Sequence, residues 1–419
     1  MASDSSSWVV EMEEMLLNTD PSLEMARWKQ HSIYRVPERI KRTTNREVYE
    51  PQVVSLGPFH HGEHHLLPME EHKRRAMLQF VKRAGKPLGE FVASIEEVVD
   101  KLQDAYEGLD EKWRGANSGR FVEMMVVDGC FLLEIILQFG DYGPNDPVFS
   151  NLYLLVDIRN DVVVMENQLP LLAVQRLVEA ICLGTSPSAK EVNNMVLRYL
   201  ERPLMDDMDN LGLHPLDVLH KSYCGPASMG RQGSEVEDTM PSAVELSQAG
   251  VQFKKSNTED IGGVDFESGV LSMPVVRVDD GTEKDFLNLM AFERLVGDVG
   301  DDVTSYVIFI DIIINSESDV ALLKSKGVIV DMLGSDKALA NLFNTLNKGA
   351  LLSPNSWLND VQRKVNAHCK KRRNKWCAIF EHKYLSNPWV FISLIGAIIL
   401  LVATVMQTIY TVVPFYTKS

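Results

Sequence analysis

The chain has 419 residues, with 58 Asp and Glu against 42 Lys and Arg, so its net charge at pH 7 is −16. Such an acidic surface repels phosphate backbones, which excludes nucleic acid as an expected partner. The hydrophobic fraction of 45% is that of an ordinary globular protein. A chain of this length can bury a substantial core in one large domain or in two.

Residues 1–30 predict a helical extension ahead of the globular body. Large apolar side chains recur at helix-like spacing up to Leu17, and residues 18–21 interrupt them. Residues 33–37 predict an extended segment, because the residue before a proline avoids helical backbone angles. The apolar stretch over residues 49–59 is bounded by proline and glycine, which predicts a strand or an extended loop.

From Pro68 onward the pattern predicts helices. Amphipathic stretches cover residues 69–84 and 94–109, and strongly apolar stretches cover residues 119–139 and 151–183. Ser188, followed three residues later by Glu191, is the sequence signature of a capping box and predicts the start of another helix.

The second half of the chain predicts a change of period. Residues 225–240 lack periodicity and large apolar side chains, which predicts a mobile loop. Alternation over residues 249–280 predicts the short strands of a small sheet, with Asp280-Gly281 as a turn. Helices are predicted again over residues 283–296, 305–315, 318–325, 336–346 and 357–384. The predicted fold is mainly α with a small β element (α+β), in a globular body over residues 31–384.

The C-terminal segment predicts one transmembrane helix. The sequence from Tyr384 to Thr417 carries no charged side chain. The 25 residues from Trp389 to Val413 would extend roughly 37 Å as a helix, against a hydrocarbon core of about 30 Å. Residues 414–419 follow as a short tail, so the sequence predicts a globular body anchored to a membrane by its C-terminus.

Charge predicts the side of the membrane on which the body lies. Basic side chains next to a membrane span favour the cytoplasmic face. Those upstream of the predicted span are Lys370, Lys371, Arg372, Arg373, Lys375 and Lys383. We also expect no secretory signal, and the sequence has no Asn-x-Ser/Thr sequon and five scattered cysteines. The predicted body is therefore cytosolic, with the lipid bilayer of the plasma membrane or of an endomembrane as a partner.

Motifs from about residue 30 to residue 413 carry a family resemblance. They are Ile33-Tyr-Arg-Val-Pro37, Tyr49-Glu-Pro-Gln-Val-Val-Ser-Leu-Gly-Pro-Phe-His-His-Gly62, Asp128-Gly-Cys-Phe-Leu-Leu-Glu134, Asp157-Ile-Arg-Asn-Asp161, Met165-Glu-Asn-Gln-Leu-Pro170, Pro241-Ser-Ala-Val-Glu-Leu246, Ala249-Gly-Val-Gln-Phe253, Asn288-Leu-Met-Ala-Phe-Glu293, Asn387-Pro-Trp389 and Gln407-Thr408. In this order they are highly specific, and the chain resembles the plant family named for the domain of unknown function 247.

The resemblance implies a plant-specific, C-terminally membrane-anchored protein without an established enzymatic activity. Some grass members of the family are associated with self-incompatibility, as specificity determinants in pollen. We therefore expect a non-enzymatic interaction or recognition protein in signalling, with other proteins as partners and with no catalytic residue or cofactor. A self-incompatibility determinant is the narrower hypothesis, and a purely structural scaffold is also open. The alternative is a membrane-associated, metal-dependent hydrolase.

One candidate metal site for that alternative is a group of histidines. They are His60, His61, His64, His65 and His72. Imidazole and carboxylate groups at helical spacing can hold zinc. However, the sequence contains no His-Glu-x-x-His motif, and Gly62 disfavours one continuous helix through the group. The other interpretations are a surface turn at the start of a helix and a pH-responsive surface.

A second candidate site contains Asp157, Arg159, Asp161 and Glu166. Asp157 and Asp161 are four residues apart, so a helix would place both carboxylates on one face. Paired carboxylates can bind a divalent ion or divide the roles of acid and base. We favour a structural polar network in which Arg159 pairs with a buried carboxylate, because an unpaired buried charge is costly.

Three further side chains are predicted to be structural. Glu134 and Glu293 each end an apolar run, which indicates carboxylates packed between helices. Cys130 lies in a strongly apolar stretch and is predicted to be an inert core thiol. The sequence also lacks the common nucleotide-binding, kinase and nucleophile-elbow motifs.

Overall fold

In a computed structural model the chain forms two compact units. The first contains Met1–Met229, Asp280–Val307 and Thr345–Leu352, and the second contains Gly230–Asp279, Ile308–Asn344 and Ser353–Ser419. The structure describes residues 7–18, 28–137, 142–143, 145–181, 187–228, 239–351, 354, 356–370 and 388–417. A mainly helical protein with a small β element was predicted, and this is confirmed.

The elements are numbered in chain order. The α-helices are α1 Ser7–Asn18, α2 Glu38–Thr43, α3 Leu67–Ala84, α4 Leu88–Glu96, α5 Val99–Asp104, α6 Ser118–Leu137, α7 Leu152–Val162, α8 Leu171–Ile181, α9 Ala189–Tyr199, α10 Pro215–Ser228, α11 Ala243–Gln248, α12 Thr282–Leu295, α13 Asp302–Ile313, α14 Glu317–Ser325, α15 Asp336–Leu346, α16 Leu358–Lys370 and α17 Pro388–Thr417. The strands are β1 Gln252–Lys255, β2 Asp265–Glu267, β3 Val270–Met273, β4 Val276–Val278 and β5 Ile329–Asp331. All five strands belong to the second unit.

Helix α6 lies at the centre of the first unit's core. Every residue from 121 to 135 except Glu123 is buried, as is typical of a helix that is apolar on all sides. Helices α3, α4 and α8 pack against it. Gly129 allows α8 to approach closely, because a Cβ atom at this position would lie only 2.4 Å from the Leu177 Cδ1 atom.

Two of the predicted helical stretches are divided. The stretch over residues 94–109 contains a break at Val98, whose φ of −121° and ψ of 9° leave the helical region. The stretch over residues 151–183 becomes α7 and α8, and the turn between them ends at Pro170, directly before the first residue of α8. The capping box predicted at Ser188 is confirmed, with both of its reciprocal hydrogen bonds.

The second unit contains the small sheet predicted over residues 249–280. Strand β3 lies between β1, to which it is parallel, and β2, to which it is antiparallel. Strand β4 pairs in parallel with β5. Strand β5 was not predicted, because its three residues are too few to show an alternation of apolar and polar side chains. The turn predicted at Asp280-Gly281 is confirmed, and it leads from β4 into α12.

The C-terminal prediction is only partly supported. Helix α17 covers the segment that was predicted to be helical. In the part of the chain that the structure describes, however, no helix combines the length and the apolar character that crossing a membrane requires. The transmembrane span predicted from Trp389 to Val413 is therefore not supported.

Several predicted features fall partly or wholly outside the described residues. Of the basic residues used to predict orientation, Lys370 ends α16, and the other five lie outside the described residues. Residues 229–238 of the loop predicted over residues 225–240 also lie outside the described residues.

Candidate functional site

A buried carboxylate at the end of α7 binds the extended loop of the motif over residues 49–62. Asp161 accepts hydrogen bonds from the backbone N–H groups of residues 52–54, at 2.7 to 3.0 Å. The Lys284 ammonium group, on α12, lies 3.0 Å from the same carboxylate and balances its charge. Asp157, one helical turn earlier, is exposed. The two carboxylates therefore have separate surroundings and do not share a ligand.

The turn between α7 and α8 is stabilised by two buried amide side chains. The Asn167 side chain accepts a hydrogen bond from the Leu56 N–H at 2.7 Å and donates to the carbonyls of Val54 and Asp161, both at 3.0 Å. Gln168 donates to two carbonyls of the turn itself, both at 2.7 Å. These amides satisfy main-chain groups that neither a helix nor a strand could satisfy here.

Glu166 occupies a buried site between two other segments of the first unit. Its carboxylate accepts a hydrogen bond from the Val36 N–H at 2.6 Å and pairs with the Lys41 ammonium at 2.7 Å. Burial alone would raise the pKa of Glu166. Hydrogen bonds from His60, Lys41 and the Val36 N–H outweigh burial, so the pKa lies below its usual value.

The prediction that Arg159 would neutralise a buried carboxylate of this cluster is wrong. Its guanidinium pairs instead with Glu201, at 3.1 Å, and the Glu201 side chain is exposed. Lys284 and Lys41 are the partners of the buried carboxylates Asp161 and Glu166. Both lysines are distant in sequence from the carboxylates that they neutralise, so the local spacing on α7 could not predict them.

A buried ion pair connects α3, α6 and the motif over residues 49–62. The Lys73 ammonium lies 2.6 Å from Asp128 and also donates to the Ser55 carbonyl at 2.9 Å. The second carboxylate oxygen of Asp128 accepts from the Gly57 N–H at 2.9 Å. Gly57 has a φ of +74°, and a Cβ atom there would lie 2.6 Å from the Tyr106 hydroxyl oxygen. Glycine is therefore required at this position of the motif.

The five histidines singled out in the sequence do not gather around one point. Only His60 is buried, and its Nδ1 lies 2.8 Å from Glu63. The His61 ring packs edge-on against Trp113, whereas His64 and His65 are exposed. Among the described residues, none of the five belongs to a group of three metal-ligating side chains.

The structure does bring together a different group of ligating side chains, which the sequence analysis missed. Cys224 and His220 lie one turn apart on α10, with Sγ 3.4 Å from Nε2. The same Nε2 lies 2.7 Å from the Glu293 Oε1 atom, on α12. Gly225, with a φ of 64° and a ψ of 172°, breaks the regular helix directly after Cys224. His-x-x-x-Cys spacing on a helix was the available signal, but nothing local indicated Glu293.

Glu293 is held firmly by the next helix of the chain. Its Oε1 accepts from the Val303 N–H at 2.8 Å, and its Oε2 accepts from the N–H and the hydroxyl of Thr304 at 2.8 and 2.6 Å. These N–H groups belong to the first turn of α13, where no carbonyl of the same helix can bind them. The prediction that Glu293 packs between helices is consistent with this arrangement.

A cavity of about 550 Å³ adjoins this group, and both His220 and Cys224 line it. The aromatic and apolar part of the cavity wall includes Trp28, Tyr34 and Val296. Charged side chains of the wall pair with one another, as in Lys221 with Asp217 at 2.7 Å and Lys29 with Asp298 at 4.0 Å. The buried cluster therefore has a space for a ligand on one side.

The sequence, rather than a known reaction, assigns the chain to a protein family. The family model of DUF247, described as a plant protein of unknown function, matches residues 33–403. The chain belongs to this family, which confirms the resemblance seen in its motifs.

Two relatives come from Arabidopsis thaliana. The chain is 28% identical to the UPF0481 protein At3g47200 over 427 residues, which cover 94% of this chain and 88% of that protein. It is 23% identical to the putative UPF0481 protein At3g02645 over 516 residues, which cover 96% of this chain and 94% of that protein. No solved structure matches the chain.

Proposed function

We propose that this protein is a non-catalytic recognition protein that binds an amphipathic helical segment of a partner protein on the exposed face of α7. The observation that carries this proposal is a group of large apolar side chains in solvent. Leu152, Tyr153 and Val156 are exposed to 72%, 85% and 47%. Exposed apolar side chains that lie together are typical of interaction sites.

The spacing of the three side chains makes them one stripe. Val156 lies four positions after Leu152 and three after Tyr153, and side chains at these two spacings are neighbours on a helix. The opposite side of α7 buries Ile158 and Val162 in the core. Because that side is fixed, the helix presents a rigid apolar edge, as in recognition of a helix by a partner groove or helix.

Charge favours a basic partner. Asp157 is exposed next to Val156, and the whole chain carries a net charge of −16. Complementary charge accelerates encounter and fixes the register of an interface. The partner segment therefore carries apolar side chains at helical spacing, flanked by Lys or Arg.

The non-catalytic part of the proposal is supported by the use of polar groups in the motifs. Asp161, Asn167, Asp128 and Glu166 are buried and bind main-chain N–H groups or lysines of the same unit. The hydrolase alternative used the His60–His72 or Asp157–Glu166 region, and neither region converges on a common ligand. The membrane anchor and the self-incompatibility role are not part of this proposal, because no observation on the described residues supports them.

The test compares two sets of exposed substitutions in the full-length protein. The triple variant Leu152→Ser, Tyr153→Ser, Val156→Ser removes the stripe, and Leu78→Ser removes an apolar side chain of α3 that is 60% exposed. Proximity labelling in plant cells identifies neighbours, and calorimetry then measures binding of their basic amphipathic segments. We expect the triple variant to lose this binding and Leu78→Ser to retain it.

Two results would overturn the proposal. One is equal binding of such segments by the triple variant and the wild type. The other is a loss of self-association in the triple variant, measured by analytical ultracentrifugation, which would make a second copy of this chain the occupant of the stripe.

A further inference from the structure

We infer that His220, Cys224 and Glu293 form a zinc-binding site in the first unit. Their ligating atoms all lie within 4.8 Å of one another, and all three side chains are buried. In the part of the chain that the structure describes, this is the one group of three metal-ligating side chains with that geometry. The inference does not depend on the recognition role proposed for α7.

The two distances from His220 Nε2, to Cys224 Sγ and to Glu293 Oε1, are close to those of a zinc site. Before zinc binds, the hydrogen-bond proton between Nε2 and Oε1 lies near the position that the metal would take. Tetrahedral zinc with ordinary bonds to nitrogen, oxygen and sulfur separates its ligand atoms by about 3.3 to 3.7 Å. The Sγ–Nε2 distance of 3.4 Å already lies in that range, but Sγ also lies 3.7 Å from Nδ1, so the thiol must turn toward Nε2 when zinc binds. The Nε2–Oε1 distance of 2.7 Å is that of a hydrogen bond, and would lengthen by about 0.6 Å when zinc replaces the proton.

Electrostatics favours a divalent ion at this point. Zinc binds the thiolate, the neutral imidazole through Nε2 and the carboxylate, so the thiol proton leaves to solvent and the imidazole keeps its proton on Nδ1 instead of Nε2. The charges of Zn²⁺, the Cys224 thiolate and the Glu293 carboxylate then sum to zero, which is the least costly state for a buried site. A mixed set of nitrogen, sulfur and oxygen ligands suits zinc better than magnesium or calcium.

The surroundings supply orientation and access. The Val303 and Thr304 N–H groups hold the Glu293 carboxylate in place, as outer partners do at metal sites. The cavity of about 550 Å³ is lined by His220 and Cys224. It leaves room for a water molecule or a ligand group at the fourth position, which is the arrangement of zinc sites with three protein ligands.

The experiment measures zinc directly on the full-length protein. Protein stripped with a chelator is dialysed against ZnCl₂, and zinc per chain is determined by mass spectrometry. We expect one zinc per chain in the wild type, and affinity at least about 100-fold lower for Cys224→Ser and His220→Gln. Cys130→Ala is the matched control, because burial raises the pKa of the Cys130 thiol to about 12 and the residue lies elsewhere, in α6.

Two further measurements separate this site from zinc bound elsewhere. Cobalt(II) added to the wild type should give a thiolate-to-metal charge-transfer band that Cys224→Ser lacks and Cys130→Ala keeps. Zinc should protect Cys224 from iodoacetamide in the wild type, which needs no variant to fold. Thr304→Val, which removes one hydrogen bond to Glu293, should weaken zinc binding by about 10-fold.

The inference is overturned if the wild type retains no stoichiometric zinc. It is also overturned if zinc leaves the alkylation rate of Cys224 unchanged, because Glu293 would then only cap α13 and pair with His220. A cobalt spectrum without a thiolate band would have the same meaning.

Discussion

The ammonium group of Lys284 lies 3.0 Å from the carboxylate of Asp161, although 123 positions separate the two residues in the chain. The same carboxylate binds three consecutive N–H groups of the motif over residues 49–62. In a helix or a strand, main-chain carbonyls would accept hydrogen bonds from these N–H groups. Here the Asp161 side chain accepts them instead. The stability of the extended loop over residues 52–54 therefore depends on a charge pair formed between distant parts of the chain.

Asp161→Asn should destabilise the protein strongly. The amide keeps the size of the side chain but has one accepting oxygen, so it leaves main-chain N–H groups unsatisfied and Lys284 without its counter-charge. We expect the free energy of unfolding to fall by about 3 kcal/mol, measured by urea denaturation. Asp157→Asn is the control, because Asp157 is exposed, and should change it by less than about 0.5 kcal/mol. Equal effects would show that burial of Asp161 is unimportant.

Lys73→Met should also be destabilising, because it leaves Asp128 as a buried charge without its cation. Lys73 is fully buried, and removing one partner of such a pair typically costs about 3 to 5 kcal/mol. Lys82→Met on the same helix changes an exposed lysine and should be close to neutral. Thermal unfolding followed by circular dichroism measures both. A small effect of Lys73→Met would mean that Asp128 takes up a proton once its cation is removed, since burial already raises the pKa of Asp128.

Glu166 should contribute to the acid sensitivity of the fold. Since its folded pKa lies below the ordinary value of 4.5, its contribution is present above about pH 4.5 and is lost as the pH falls through the folded pKa. Lys41, Arg35 and His60 are the charged or titratable groups that face it.

Glu166→Gln should therefore give a flatter dependence of unfolding free energy on pH below about 4.5 than the wild type. Urea denaturation at several pH values measures this slope. Glu201→Gln, an exposed carboxylate, should follow the wild-type curve. Parallel curves for Glu166→Gln and the wild type would contradict the assignment of the pKa shift.

Two glycine substitutions should have opposite signs. Gly57→Ala places a Cβ atom 2.6 Å from the Tyr106 hydroxyl oxygen and 2.8 Å from the Gln168 carbonyl, at a φ of +74°. We expect a loss of more than about 2 kcal/mol. Gly89→Ala, in α4 with no atom within 4 Å of its new Cβ, should stabilise by about 0.4 to 1 kcal/mol. Thermal unfolding of the two variants provides the comparison, and a stable Gly57→Ala variant would refute it.

The sequence predicted the secondary structure of this protein better than its polar contacts. Apolar periodicity identified α6 and α3, and alternation identified the sheet of β1 to β3, because these patterns are local. The structural polar network predicted for the Asp157–Glu166 region stays a prediction, and the contacts of Asp161 with main-chain N–H groups are consistent with it. The partner predicted from local spacing, Arg159, was wrong, because Lys284 enters from α12.

The candidate zinc site shows the same limit. His220 and Cys224 have a spacing that a helix converts into proximity, so two of the three side chains were readable from the sequence. Glu293 lies 73 positions from His220, and only the packing of α12 against α10 brings them together. The histidine-rich segment attracted attention through composition, yet its side chains diverge because a turn at Gly62 separates them.

Asn288 hydrogen-bonds to two distant segments of the first unit, and these bonds have a consequence for the synthesis of the polypeptide. Its amide donates to the Val48 carbonyl and its oxygen accepts from the Met165 N–H, both at 2.8 Å. A ribosome must therefore synthesise all of the intervening sequence before these two groups gain their partner. A fragment that stops at residue 229 would lack both Asn288 and Lys284, so the Val48 carbonyl, the Met165 N–H and the Asp161 carboxylate would be without these partners.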